Sequence, residues 1–383
     1  MGEAKKIARE IYSGSVNSDR ISGLPEELRS KIISYLNAEE AVRTSILSSI
    51  WKDMWMIMPQ ILLSDESCFG YTESSPEIAR SKFITLVDLT LARHKGSLDT
   101  ISFELRKRNY NDDELGRWMD MLSEKKPRGI AIKLADFPVH IIPSSLFHIS
   151  GLERLHLENC IISLPQTFEG FKLLKVLKLE SFFSTDSDIS NLISNCPLLG
   201  TLVLDNFLVT NFLNIRAEAL DTLVVKGYFD HLHLHAPNLA HACLVAHSYS
   251  EDHESDPVQD GFKGYLEQAF GSLARVKTLS VNYKFLMSQN LDDNFIFNKP
   301  RFDEDYSNIE APTLDCLVTI IFHDFMALEC EIALLGPLFS WAPALEEVKI
   351  DVDERMMGQC ICKDKEKLLA LPRASTKAKV VFT

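Results

Sequence analysis

GLERLHLENC (Gly151–Cys160), FKLLKVLKLE (Phe171–Glu180) and LLGTLVLDNF (Leu198–Phe207) carry one pattern, L-x-x-L-x-L, at Leu152-Leu155-Leu157, Leu174-Leu177-Leu179 and Leu199-Leu202-Leu204. The copies start 22 and then 25 residues apart, so a strand-sized unit returns at a nearly fixed interval. Within each copy the last two leucines alternate with other residues, the period of a strand with one face buried. Degenerate copies continue at Leu220-Leu223-Val225, Leu239-Ala242-Leu244, Val276-Leu279-Val281, Leu314-Leu317-Thr319 and Leu345-Val348-Ile350. Earlier ones stand at Leu98-Ile101-Phe103 and Gly129-Ile132-Leu134. The acidic stretch Ser250–Asp260 and the polar stretch Met287–Glu310 interrupt the register and read as solvated loops.

This is the spacing of leucine-rich repeats, in which a short strand buries its apolar face only because neighbouring repeats stack on it. Turn-back segments are visible at Pro165 and Gly170, and at NLISNCPLL (Asn191–Leu199), which can form a short helix closed by Pro197. The expected fold class is an α/β solenoid forming an open arc. Alternation also fixes the other face of the sheet. With Leu155 and Leu157 inward, Arg154, His156 and Glu158 point outward, followed by Lys178 and Glu180, Val203 and Asp205, and Val224 and Lys226. Farther on, the same register exposes His241, Val245, Ser280, Asn282, Lys349 and Asp351. Charged ends around an apolar middle have the character of a protein interface, so His156, Glu158, Lys178, Glu180, Val203, Asp205, Val224 and Lys226 are the candidate residues of a protein-binding face.

The chain upstream of the repeats is built differently. Residues 1–19 are polar and without period, and are expected to be a flexible lead-in. Pro25 suits a first helical turn, and Leu28, Ile32, Tyr35 and Leu36 then recur at helical spacing. Asn37, with Glu40 three residues on, forms a capping box for a second helix whose apolar side is Val42, Ile46 and Leu47. Ser48 or Ser49 can cap a third helix, with Trp51 and Trp55 on one side and Met54 and Met58 alongside. So small a unit lacks the volume to bury this much apolar surface and needs a partner.

DRISGLPEELRSKIISYLNAEEAVRTSILSSIWKDMW, residues 19–55, resembles the F-box of plant F-box proteins. The likeness is carried by the Leu24-Pro25 opening, the Tyr35-Leu36 helix end, the AVRTSILS run and the paired tryptophans. It implies that Leu24, Pro25, Leu28, Ile32, Leu36, Val42, Leu47, Trp51 and Trp55 form the face that docks on a Skp-type adaptor, and through it on cullin and RING subunits. One departure is that Ser49 and Ile50 stand where the family usually has basic residues, which implies reduced adaptor affinity. The lead-ins Cys196-Pro197-Leu198-Leu199 and Ala236-Pro237-Asn238-Leu239 resemble those of plant F-box repeat regions. From Pro312 to Phe382, TLDCL, WAPALEEVKI and LLALPRASTKAKVVF look like the FBD module, read as strand, helix, strand, linker and a last edge strand that caps the stack. The expected organisation is a lead-in over 1–19, F-box helices over 20–60, repeats over 61–311 and an FBD-like module over 312–383. By this resemblance the chain is a receptor that brings an unidentified protein substrate to a ubiquitin ligase.

Composition narrows the alternatives. A net charge of −14 argues against nucleic-acid binding through phosphate neutralisation. No run of about 18 apolar residues spans a bilayer, so no membrane role is expected, and the location expected is nucleus or cytoplasm. The cysteines are scattered without zinc-finger pairs, and Cys360-x-Cys362 is one residue short of a zinc knuckle. His231, His233 and His235 share one strand face, a spacing open to zinc or copper, but Leu232 and Leu234 make them the outer positions of a repeat strand. No metal or other cofactor is expected. No catalytic motif appears in a strand-to-helix context, so the chain is expected not to be an enzyme. The other reading is a non-ligase repeat protein that binds or inhibits a partner and carries a vestigial F-box.

Overall fold

The computed structural model describes residues 21–66, 75–105, 110, 112–135, 139–207, 212–229, 231–247, 273–282, 314–326, 329–352 and 362–382. The lead-in over 1–19, the two stretches Ser250–Asp260 and Met287–Glu310, and Cys360 fall outside them. The chain divides into two compact units, Met1–Arg108 and Asn109–Thr383.

The first unit begins with α1 (Glu26–Ile33) and α2 (Ala38–Thr44). Pro25 is the N-cap of α1, and Glu26 and Glu27 in its first turn oppose the positive end of the helix dipole. The predicted capping box starts α2: the Glu40 N–H donates to Asn37 Oδ1 at 2.9 Å, and the Asn37 N–H donates to Glu40 Oε2 at 3.3 Å. The expected third helix is replaced by turns and a four-residue 3-10 helix, Met54–Ile57. Hydroxyls compete with the helical ladder here. The Thr44 hydroxyl donates back to the Ala41 carbonyl at 2.7 Å, and the Ser45 hydroxyl donates to the Lys52 carbonyl at 2.8 Å. Ile33, Ala41, Trp51, Met54, Trp55 and Met58 make the core. β1 (Gln60–Ser64), α3 (Pro76–Arg93) and β2 (Thr100–Leu105) follow, with β1 and β2 paired in parallel. Buried His94, just past α3, places its Nε2 2.8 Å from the Met58 carbonyl.

The second unit opens with α4 (Asp112–Lys125), which buries Leu115, Trp118, Met119 and Leu122 at helical spacing. The repeat strands are β3 (Gly129–Leu134), β5 (Arg154–Glu158), β7 (Val176–Glu180), β8 (Thr201–Phe207), β10 (Thr222–Gly227) and β12 (His241–Ala246). They continue as β13 (Thr278–Asn282), β14 (Thr319–Phe325), β15 (Glu347–Val352) and β16 (Lys379–Phe382). All pair in parallel in that order. Every copy of the pattern from Gly129 onward is therefore a strand of one sheet. Its inward ladder runs Leu157, Leu179, Leu204, Val225, Leu244, Val281, Phe322, Ile350, each in register with the next and all fully buried.

The return segments form a second layer. β4 (His140–Ile141) pairs with β6 (Cys160–Ile161), and α5 (Asp186–Ser194) follows β7, capped by Thr185 Oγ1, which accepts from the Asp188 N–H at 3.1 Å. β9 (Phe212–Arg216) pairs with β11 (His231–His235). This corrects the reading of HLHLH: Leu232 and Leu234 are buried as expected, but the strand belongs to the return layer and not to the repeat sheet. Period-two alternation reports one buried face and is blind to which sheet buries it.

Corners were not anticipated. Asn159, Ser181, Asn206 and Asp324 occupy the same place in their repeats, two residues after the second ladder position, all with φ between 50° and 58°. Asn and Asp tolerate this left-handed backbone, and the side chains add ties: Asn159 Nδ2 donates to the Leu134 carbonyl at 3.0 Å and Asn206 Nδ2 to Ser181 Oγ at 2.9 Å. The signal was an L-x-L-x-N extension of the motif. Two glycines are required by contact. At Gly170, φ is +95° and a Cβ would lie 2.1 Å from the Asn195 carbonyl oxygen; at Gly227 it would lie 2.8 Å from the Phe207 ring. Phe207 in turn packs between Phe182 and Phe229, with ring centroids 5.7 and 6.1 Å away.

At the C-terminal end, α6 (Glu329–Trp341) lies between β14 and β15, and α7 (Cys362–Leu369) stands where a linker was expected. Arg373 anchors the segment after α7. It donates to the carbonyls of Ala378 and Leu369 at 3.1 Å each and lies 5.7 Å from the Phe339 ring centroid. β16 is the edge strand, as expected for Val380–Phe382.

Candidate functional site

α1 wears its apolar stripe on the outside. Leu28, Ile32 and Tyr35 follow one another at helical spacing and are 49%, 42% and 79% exposed, while Ile33 on the opposite side is buried. Just beyond α2, Ile46 and Leu47 are 86% and 74% exposed, and Ile50 is also exposed. Of the residues expected on a docking face, Pro25, Leu28, Ile32 and Leu47 are exposed, and Leu24, Leu36 and Val42 are half-buried. Trp51 and Trp55 are not on that face. Both are buried in the unit's own core, and the Trp51 indole N–H donates to Ser22 Oγ at 3.0 Å. Burying a large aromatic side chain in a small unit supplies much of its apolar gain, so the tryptophans stiffen the platform that shows the aliphatic residues. So many large apolar side chains left exposed within one small unit mark an interaction surface.

The second surface is the outward face of the repeat sheet. His156, Glu158, Lys178, Glu180, Val203, Asp205, Val224 and Lys226 all lie on it, half-buried, alternating with the buried ladder. His156 Nε2 is 2.6 Å from Glu180 Oε2, and Lys178 Nζ is 2.9 Å from the same oxygen. Burial pushes the His156 imidazole below its usual range despite the Glu180 contact, which favours the neutral ring donating its N–H. Burial alone would raise the Glu180 carboxyl, but hydrogen bonds from Lys178 and His156 outweigh it and hold the group below the usual carboxylate range. The donor atoms of His156, Glu158 and Glu180 lie within 4.8 Å of one another, the chemistry of a cation site. A metal there would have to displace Lys178 from Glu180.

Farther along, Ser280 Oγ is 2.6 Å from His323 Nε2, and His323 Nδ1 is 3.3 Å from Asp351 Oδ2. Cys243 beside the ring raises the His323 pKa, burial opposes it, and Asp351 adds to the rise. The order mimics a nucleophile-base-acid triad, but Ser280 is buried, so its hydroxyl ties β13 to β14 instead of facing solvent. Val245 and Asn282 are buried too, contrary to the expectation that this stretch is exposed. Asn282 bonds the Ala246 backbone at both its amide nitrogen and oxygen, at 2.9 and 3.2 Å.

In the return layer, His233 and His235 are exposed, and His235 Nε2 lies 3.0 Å from Glu218 Oε1, a carboxylate the sequence reading did not bring near. The Cys160 and Cys196 thiols are buried, which pushes them up to about 12 and about 11, so they are inert core groups. Among the described residues no helix is long and apolar enough to cross a membrane.

Residues 21–60 match the F-box domain family, and residues 115–259 match a family described as FBD-associated F-box protein At5g56370, LRR repeats. Among curated proteins of Arabidopsis thaliana, the chain is 27% identical over 306 residues to Putative FBD-associated F-box protein At5g22720, covering 75% of this chain and 59% of the relative. It is 27% identical over 271 residues to F-box/FBD/LRR-repeat protein At1g13570, covering 69% and 64%. It is 31% identical over 219 residues to Probable FBD-associated F-box protein At1g32375, covering 54% and 49%. The chain thus spans between about half and two thirds of the length of these relatives.

Proposed function

Since this chain is a plant F-box/leucine-rich-repeat/FBD family protein, we propose that it is the substrate-receptor subunit of an SCF-type ubiquitin ligase, in which F-box domains bind Skp-type adaptors. The observation that carries this reading is the outward stripe of Leu28, Ile32 and Tyr35, together with exposed Leu47 just past α2, apolar surface that the unit's own core leaves open. The adaptor covers it and links the receptor to cullin and RING subunits. The residues over 61–311 are the repeat arc that holds a protein substrate on its outward face, and 312–383 is the FBD-like cap. The chain performs no chemistry of its own: it raises the effective concentration of substrate lysines beside a charged conjugating enzyme. Its place of action is nucleus or cytoplasm.

Leu28→Asp tests this directly. Desolvating a carboxylate in the middle of an apolar contact should weaken binding to a purified Skp-type adaptor by at least about tenfold, with the melting temperature unchanged. Equal affinity in Leu28→Asp and Leu47→Asp would remove the ligase reading. The departure at Ser49 and Ile50 favours the alternative, a repeat protein that occupies its partner without the ligase. Failure of the wild-type chain to co-purify with any Skp-type adaptor selects it.

A further inference from the structure

The receptor reading leaves the chemistry of the substrate open, and the outward face of β5, β7, β8 and β10 narrows it. Glu158, Glu180 and Asp205 are register neighbours on successive strands about 4.8 Å apart, so three carboxylates stand in one row across the face. The row is bounded by lysines, Lys133 opposite Glu158 and Lys226 opposite Asp205. On Glu180 the cation is Lys178, because His156 is held toward its neutral form. Asp205 is half-buried and makes no side-chain hydrogen bond or ion pair among the described residues, and the neighbouring Lys226 makes no ion pair with it. Next to Asp205 the face turns aliphatic: Val203 and Val224 are register partners, half-buried side by side.

We propose that this face seats a protein segment presenting an arginine beside an aliphatic side chain, with the guanidinium on Glu180 and Asp205 and the aliphatic group on Val203 and Val224. Charge complementarity sets the first half. A partly desolvated carboxylate that holds no ion pair still gains from a cation placed on it. A planar guanidinium spans two carboxylates on adjacent strands, which an ammonium cannot do with both oxygens in plane. The flanking lysines repel a longer basic tract, so the seat takes one arginine and not a run. The aliphatic pair supplies the dry floor beside it. This inference rests on the outward face being the substrate face of the receptor.

The test uses the full chain bound to its adaptor and an array of short peptides with the core Gly-Leu-Arg-Leu-Gly. In parallel peptides the arginine is replaced by lysine, glutamine or glutamate, or the leucines by serine. The arginine-leucine peptides should be retained at least about tenfold better than the glutamine and serine versions, and the preference should fade with added salt. Asp205→Asn and, separately, Glu180→Gln should each remove the preference while adaptor binding and cooperative unfolding hold, Glu180→Gln with a small loss of melting temperature because it gives up the Lys178 and His156 contacts. Equal retention of glutamine or glutamate peptides, or a preference that survives both variants, overturns the seat. So does binding that ignores the arginine and vanishes with a chelator, which would make His156, Glu158 and Glu180 a metal site. Adaptor binding is read in the same samples: its absence in the wild type strikes the receptor reading, while the peptide preference judges the seat by itself.

Discussion

The two units spend the same residue types in opposite ways. In the repeat unit each strand turns its leucines onto those of the next, and Leu157, Leu179 and Leu204 disappear from solvent without help. In the N-terminal unit the tryptophans and methionines fill the core, and the helix beside them offers Leu28, Ile32 and Tyr35 to solvent. A repeat supplies its own partner because the next repeat is a copy of it. A short amphipathic helix with no copy has to borrow one. Exposed apolar residues therefore line one side of a helix in the first unit, whereas in the second they stand on return segments and at the edge strand, and the ladder itself stays covered.

The sharpest way to break this contrast is to truncate a core residue in each. Trp51→Ala should cost the first unit about 3–5 kcal/mol, and Leu179→Ala should cost the second about 2–5 kcal/mol, both read by denaturant titration. Leu47→Ala, by contrast, should change stability by no more than about 0.5 kcal/mol yet lower adaptor affinity. A large stability loss there would mean that the outward residues are core after all.

Backbone changes come next in size. Gly170→Ala combines a left-handed φ with a Cβ against the Asn195 carbonyl, and should destabilise the repeats by at least about 1–3 kcal/mol. Capping should matter equally on both sides of the contrast. Asn37→Ala in the first unit and Thr185→Ala in the second should each cost about 1 kcal/mol, because each orphans a helix N–H.

The smallest effects separate two histidines on one face. His156 is depressed from 6.5, so the unfolded chain takes up its proton first, and stability falls as pH drops below 6.5. His323 is raised from 6.5, so its contribution is complete below 6.5 and fades as pH rises through the folded value. Melting temperatures from pH 5 to 8 should show His156→Gln flattening the acid side of the profile and His323→Gln the neutral side. Profiles that move together would show that the two environments have been misjudged. Glu180→Gln should act lower still, trimming stability that is present above 4.5 and is lost as pH falls through the depressed folded value.

Much of this was legible in the sequence. The Leu152, Leu174 and Leu199 copies mark three strands, the degenerate copies mark β2, β3, β10 and β12 to β15, and the Asn37–Glu40 box marks the start of α2, while β1 and the short strands of the return layer carry no such pattern. The misses share a cause. HLHLH fits a strand of the repeat sheet but lies in the return layer, a linker is expected where α7 stands, and the helix expected after Ser48 or Ser49 is turns and a short 3-10 helix. In each, a short local pattern fits two structures, and a contact distant in sequence selects one: β9 alongside β11, Arg373 against Phe339, the Trp51 indole on Ser22.

By itself, then, the sequence determined the repeat strands, their order and the outward residues from Arg154 to Lys226, because a period of two in stacked repeats leaves only one register that buries the leucines. It also determined that an amphipathic unit precedes them. Only the tertiary structure decided that this unit's tryptophans turn inward and its aliphatic stripe outward, and that Glu180 holds both His156 and Lys178 while Asp205 stands without a partner among the described residues. Helical periodicity shows that a stripe exists but not what covers it, and strand alternation shows that a residue points out but not which neighbours meet it. Both are settled by groups far away in the chain, at distances that no local pattern encodes.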